Sequence, residues 1–85
     1  MPKLMQIRPH AKKQLKERQI PEDLVKRVLL HPGQIIDSYS SRKIAQDIVE
    51  YKGERFLVRI VYEEIGGELR VITVYLTTKV EKYWR

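Results

Sequence analysis

The hydrophobic pattern of this chain changes period once, at Gly33, and that change limits the folds open to it. Before it, Leu24, Val25, Val28 and Leu29 recur at helical spacing, and Ala11 and Leu15 share a stripe with Arg18. After it, apolar and polar residues alternate, most clearly in "ERFLVRIVYEE" and "ELRVITVYLTT". Helical spacing does not line one face of a strand, nor alternation one face of a helix. Helix, helix and then strands predict an α+β layer: two N-terminal helices packed on one face of a four-stranded antiparallel sheet, with a short C-terminal tail.

Local chemistry sets the expected boundaries. Pro9 suits a first helical turn, which needs no N–H partner, and the residue before Pro21 is pushed out of helical geometry. Pro21 then opens a second helix, with Glu22 and Asp23 placed where the helix dipole favours negative charge, and "HPG" at 31–33 ends it. The expected helices cover about 9–19 and 21–31, and the strands about 34–39, 43–51, 54–64 and 68–78, all in a single domain. Lys52-Gly53 and Gly66-Gly67 are the readable turns.

The last hairpin has two competing registers. A two-residue loop at Gly66-Gly67 sets Ile60 opposite Thr73 and mixes the apolar and polar sets. A three-residue loop, Ile65-Gly66-Gly67, sets Ile60 opposite Ile72, Val58 opposite Val74 and Arg59 opposite Thr73. The pattern favours the second. Phe56, Val58, Ile60, Ile72 and Val74 are then expected to face the helices, leaving Arg55, Arg59, Val71 and Tyr75 on an open face.

Charge is unevenly spread over the 85 residues, whose formal net charge is +6. Residues 1–33 carry eight Lys/Arg against three Asp/Glu, residues 34–64 five against six, and residues 65–85 four against two. A basic excess at both ends suits a polyanion or an acidic protein, though solubilising charge on helix surfaces is an equal reading. With 42% apolar and 33% charged residues the chain is globular rather than disordered. It has no cysteine, hence no disulfide framework or thiolate metal site. The first 18 residues lack the apolar run of a signal peptide or membrane span, so a cytoplasmic location without membrane contact is expected.

A few residues carry possible chemistry. Arg59 interrupts an apolar strand. Its fork geometry suits phosphate, while a salt bridge to Glu50, Asp47 or a neighbour across the sheet is the bland reading. His10 shares a helix stripe with Gln14 and Arg18 and is a candidate proton-transfer group, or else a histidine bracing the helix. His31 reads as a helix C-terminal residue, and two lone histidines give no metal site. Tyr75 and Thr73 are more often packing residues than catalysts. The chain closes on "KVEKYWR", where Lys79, Lys82 and Arg85 crowd around Tyr83 and Trp84. Cations for phosphates and rings for bases are what single-stranded RNA binding needs. The alternative is a last helical turn that tucks an aromatic onto the sheet. One ring is expected to anchor the tail and the other to stay available, with Tyr83 and Lys79 turned toward Arg59.

The segments His10-Ala11, Arg18-Gln19-Ile20, His31-Pro32, Tyr51-Lys52-Gly53 leading to Arg59, and Val71-Ile72-Thr73-Val74-Tyr75 together resemble a RelE/ParE-like toxin family. The closest likeness is to its small branch of bacterial and archaeal domains of unknown function, and it runs from His10 to Tyr83. It implies a RelE-like toxin of a toxin–antitoxin pair, a metal-independent mRNA endoribonuclease without cofactor. The implied partners are RNA, read on the ribosome or free, and a small acidic antitoxin. The strand arginine matches Arg59, and the tail residues match Lys79 and Tyr83; with His10 these are the catalytic candidates. Arg18, Arg55, Tyr75, Lys82 and Arg85 are the candidate nucleic-acid contacts. Two other readings stay open: a non-catalytic domain that binds nucleic acid or a protein, and a ParE-type toxin with a protein target.

Overall fold

A computed structural model describes residues 4–85. Among them the elements run β1 (Leu4–Ile7), α1 (Pro9–Glu17), α2 (Glu22–Leu30), β2 (Gln34–Asp37), β3 (Lys43–Tyr51), β4 (Glu54–Ile65), β5 (Glu68–Thr77) and α3 (Val80–Tyr83). The strands form one five-stranded sheet in the order β1-β5-β4-β3-β2.

This corrects the expected four-stranded antiparallel sheet with two helices. Leu4–Ile7 adds a fifth strand parallel to β5, pairing Leu4 with Glu68 and Ile7 with Val71, so the sheet is mixed. A third, short helix closes the chain. Four residues are too few for a visible period, and a parallel edge strand gets its partner from the far end of the sequence.

Both long helices lie on one face. Ala11 and Leu15 of α1 and Val25, Val28 and Leu29 of α2 are buried against Ala45, Val58, Ile60 and Val74 of the sheet. Ile20 joins this core where α1 ends. Its N–H reaches the Leu15 carbonyl at 2.8 Å across Gln19, which holds the left-handed conformation that closes a helix (φ 55°).

The last hairpin takes neither register whole. Gly66 and Gly67 form the two-residue turn after all, with φ 57° and 79°, and Ile65 pairs with Glu68. A bulge then shifts the pairing: Tyr62 faces Val71 but Val61 faces Thr73, leaving Ile72 as the extra residue of β5. Beyond the bulge Ile60 pairs with Val74 and Arg59 with Tyr75, not with Ile72 and Thr73. The bulge restores what the two-residue turn would have spoiled, since Ile60 and Val74 both remain in the helix-side core. The apolar strip crosses over within β5, so Leu69 and Val71, not Ile72, complete it.

β1 covers β5 only as far as Val71. Past that point α1 closes the exposed strand edge. Gln14 Oε1 accepts from the Val74 N–H at 2.9 Å and the Thr73 hydroxyl at 2.6 Å. Arg18 donates to the Val74 carbonyl at 3.0 Å. Side chains thus satisfy backbone groups that a further strand would otherwise take.

Candidate functional site

The sheet face away from α1 and α2 carries a polar row running straight across four strands. Gln34 of β2 pairs with Gln46 of β3, Gln46 with Arg59 of β4, and Arg59 with Tyr75 of β5. Their side chains bond in the same order. Gln46 Nε2 donates to Gln34 Oε1 at 2.8 Å, Arg59 Nε donates to Gln46 Oε1 at 3.0 Å, and the Arg59 guanidinium donates to the Tyr75 hydroxyl.

The C-terminal tail lies across this row. Gln46 Nε2 also donates to the Tyr83 carbonyl at 3.1 Å. Gln34 grips Arg85 at two points: its Nε2 donates to the Arg85 carbonyl at 2.7 Å and its Oε1 accepts the Arg85 N–H at 3.1 Å. The Tyr83 ring centroid sits 4.2 Å from the Arg59 guanidinium carbon, and the Tyr75 centroid 5.6 Å from it. Trp84 packs against Gly33: a Cβ added there would stand 2.8 Å from the Trp84 ring.

Arg59 is therefore not on an open face. It is 8% exposed and Gln46 is fully buried. The expected partners Glu50 and Asp47 do not hold it. In the register they face Arg55 and Val58, and the bonded neighbours of Arg59 are a glutamine and two tyrosines, all neutral. A charge buried without a counter-charge is costly, and such placements are held by hydrogen bonds and ring faces or completed by a ligand.

The remaining candidates divide by side. Tyr83 and Tyr75 meet at Arg59. Lys79 and Lys82 border a neighbouring cleft with Arg55. His10 belongs to α1 and Arg18 caps its C-terminal end, on the opposite side of the sheet; His10 is exposed, and Arg18 serves the β5 edge. Arg85 contributes its backbone to Gln34. Of the two tail aromatics, Trp84 anchors and Tyr83 covers the arginine, and both are half-buried.

Sequence reasoning passed over Gln34 and Gln46, although a signal existed. Lys52-Gly53 is a two-residue turn with φ 52° and 77°, which pairs Tyr51 with Glu54. Counting back from that pair sets Gln46 opposite Arg59, as a polar residue inside an apolar strand.

Among the described residues no helix is long and apolar enough to cross a membrane. The chain belongs to the family described as Domain of unknown function (DUF4258), which matches residues 7–76 and so takes in all four members of the polar row. The comparisons with curated proteins and with solved structures gave no match.

Proposed function

We propose that this domain binds RNA on the tail side of its sheet and acts as a RelE-like toxin, a metal-independent endoribonuclease held in check by a small acidic antitoxin. The observation that carries the reading is Arg59: a guanidinium at the centre of the sheet whose bonded neighbours are all neutral. A phosphodiester supplies the missing negative charge, and an arginine fork matches its oxygens. The net charge of +6 favours a polyanion in the same sense.

Cleavage without a metal needs the 2′-hydroxyl to give up its proton to water as its oxygen attacks phosphorus, the extra charge on the phosphorane to be offset, and the leaving 5′-oxygen to gain a proton. Arg59 is suited to the second task. Tyr83, stacked on it, brings a hydroxyl suited to the third. Because the tail covers Arg59, contact with phosphate requires the Tyr83 ring to shift, so tail movement is part of the proposal.

The test is induced expression with growth and RNA integrity as readouts, comparing the intact protein with Arg59→Met and Tyr83→Phe. Growth arrest with RNA fragmentation, lost in Arg59→Met and slowed in Tyr83→Phe at unchanged RNA affinity, is the expected result. Harmless expression with intact RNA sinks the cleavage step. Growth arrest without fragmentation points to a protein target.

A further inference from the structure

Beside the Arg59 row lies a cleft of about 410 Å³ lined by Arg55, Thr78, Lys79, Val80, Glu81 and Lys82. That volume falls in the lower part of the range of small-ligand sites, about 300–1,000 Å³. Three of its six lining residues are cations and one is an anion. Arg55, Lys79 and Lys82 form no ion pair among the described residues, although Glu81 stands between the two lysines in sequence and Glu50 pairs with Arg55 in the sheet. Elsewhere the same surface does pair its charges: Arg42 with Glu63 at 3.2 Å and Arg70 with Glu68 at 3.1 Å.

The cleft is linked to Arg59 through one ring. Lys82 Nζ lies 5.4 Å from the Tyr83 centroid, and the Arg59 guanidinium carbon lies 4.2 Å from the same centroid. Arg55 and Arg59 sit on the same face of β4, four residues apart, a separation of roughly 13 Å at about 3.3 Å per residue. A single strand of RNA crosses that distance in a few nucleotides.

We propose that this cleft seats a backbone phosphate of single-stranded RNA, a few nucleotides away from the one that faces Arg59. Arg55, Lys79 and Lys82 hold the phosphate oxygens, and the Thr78 hydroxyl adds an uncharged donor. The inference rests on the RNA reading above and deepens it: it gives the strand a direction along β4 and makes the bound unit longer than one nucleotide. The phosphate is held through its backbone oxygens alone, so the cleft adds affinity without reading base sequence.

The experiment titrates the full chain with a six-nucleotide single-stranded RNA at several salt concentrations. Arg55→Gln and Lys79→Gln are compared with Lys12→Gln and Lys16→Gln, which remove equal charge from the exposed side of α1. Neutralising either cleft cation should flatten the slope of log K against log salt by about 0.7 and weaken binding, while the α1 variants keep the parent slope. Equal effects from both pairs would mean a diffuse field and no seat, overturning the proposal. RNA binding that responds to Arg59→Met but ignores the cleft variants would overturn it while leaving the proposed function in place. A parallel titration with inorganic phosphate separates the remaining case. If phosphate shifts the amide resonances of Thr78–Lys82 in a protein that ignores RNA, the proposed function falls, and with it the RNA seat.

Discussion

The Arg59 guanidinium and the Tyr83 ring stack at 4.2 Å, across the boundary between the central strand and the last turn of the chain. The contact joins the buried cation of the sheet to the short helix α3 that follows it, and it links the seating of the tail to Arg59.

Replacing that cation tests which of the two dominates. Arg59→Met keeps much of the side-chain volume and removes the charge. Breaking the bonds to Gln46 and Tyr75 and the ring stacking is unfavourable; relief from burying an unpaired charge is favourable by several kcal/mol. The two nearly cancel, so the expected change in stability is within about 1 kcal/mol, or roughly 4–8 °C in Tm for a domain of this size. RNA binding should be lost. A thermal melt lowered well beyond that range would show that Arg59 is there to hold the fold together.

Gln34 controls the tail from the other end of the row. Gln34→Ala removes its two bonds to the Arg85 backbone and its bond to Gln46. Each is worth about 0.5–1.5 kcal/mol. The chain has one tryptophan, so its fluorescence reports the tail alone. Emission from Trp84 should shift to the red, and the Trp84 amide should exchange faster, while β4 amides keep their protection. An unchanged spectrum would mean that the packing of Trp84 on Gly33, not the glutamine, secures the tail.

Much of this arrangement can be read from the chain, and the misses have particular causes. The period change at Gly33 separates α1 and α2 from β2–β5, though β1 precedes it and α3 follows the strands, and β3, expected over 43–51, spans Lys43–Tyr51. β1 escaped because a four-residue parallel edge strand takes its identity from Val71 and its neighbours rather than from its own pattern. The bulge at Ile72 escaped because a two-residue turn plus an extra residue and a three-residue turn leave Ile60 and Val74 on the same face, so the hydrophobic pattern cannot choose between them. At the site, Arg59 and Tyr83 stood out by residue type. Gln34 and Gln46 did not, since a neutral amide gains its meaning only from what lies across the sheet.

Gln14 offers a test of the α1 contact with β5. Alanine is at least as good a helix former as glutamine, so Gln14→Ala leaves α1 itself intact. The change removes the acceptor for the Val74 N–H and the Thr73 hydroxyl. An unpaired, half-buried backbone donor costs about 1–3 kcal/mol. The denaturation midpoint should fall accordingly, and the Val74 amide should lose exchange protection before its neighbours on β4. A shift under about 0.5 kcal/mol, the usual size of a surface substitution, would mean that water replaces Gln14 without loss.

Gly33 is the site where a single methyl group should tell most about the tail. Its φ is not among the positive values that only glycine takes easily, so the backbone itself accepts alanine. On that ground alone Gly33→Ala would gain about 0.4–1 kcal/mol by restricting the unfolded chain. Space opposes it: the new Cβ would stand 2.8 Å from the Trp84 ring and 2.7 Å from Asp47 Oδ1, and that oxygen is already fixed by the Ile48 N–H at 2.8 Å. Overpacking of this kind costs about 1–3 kcal/mol, so the net expected change is a loss. Part of that loss belongs to the tail, and a double-mutant cycle isolates it. In a Trp84→Leu background Gly33→Ala should cost less, with a coupling of at least about 0.5 kcal/mol. The single variant should also show a red-shifted Trp84, because the tail yields more readily than the fixed carboxylate. Zero coupling with an unshifted tryptophan would place the whole overlap on Asp47, and the seat of Trp84 against Gly33 would then contribute nothing to holding Tyr83 over Arg59.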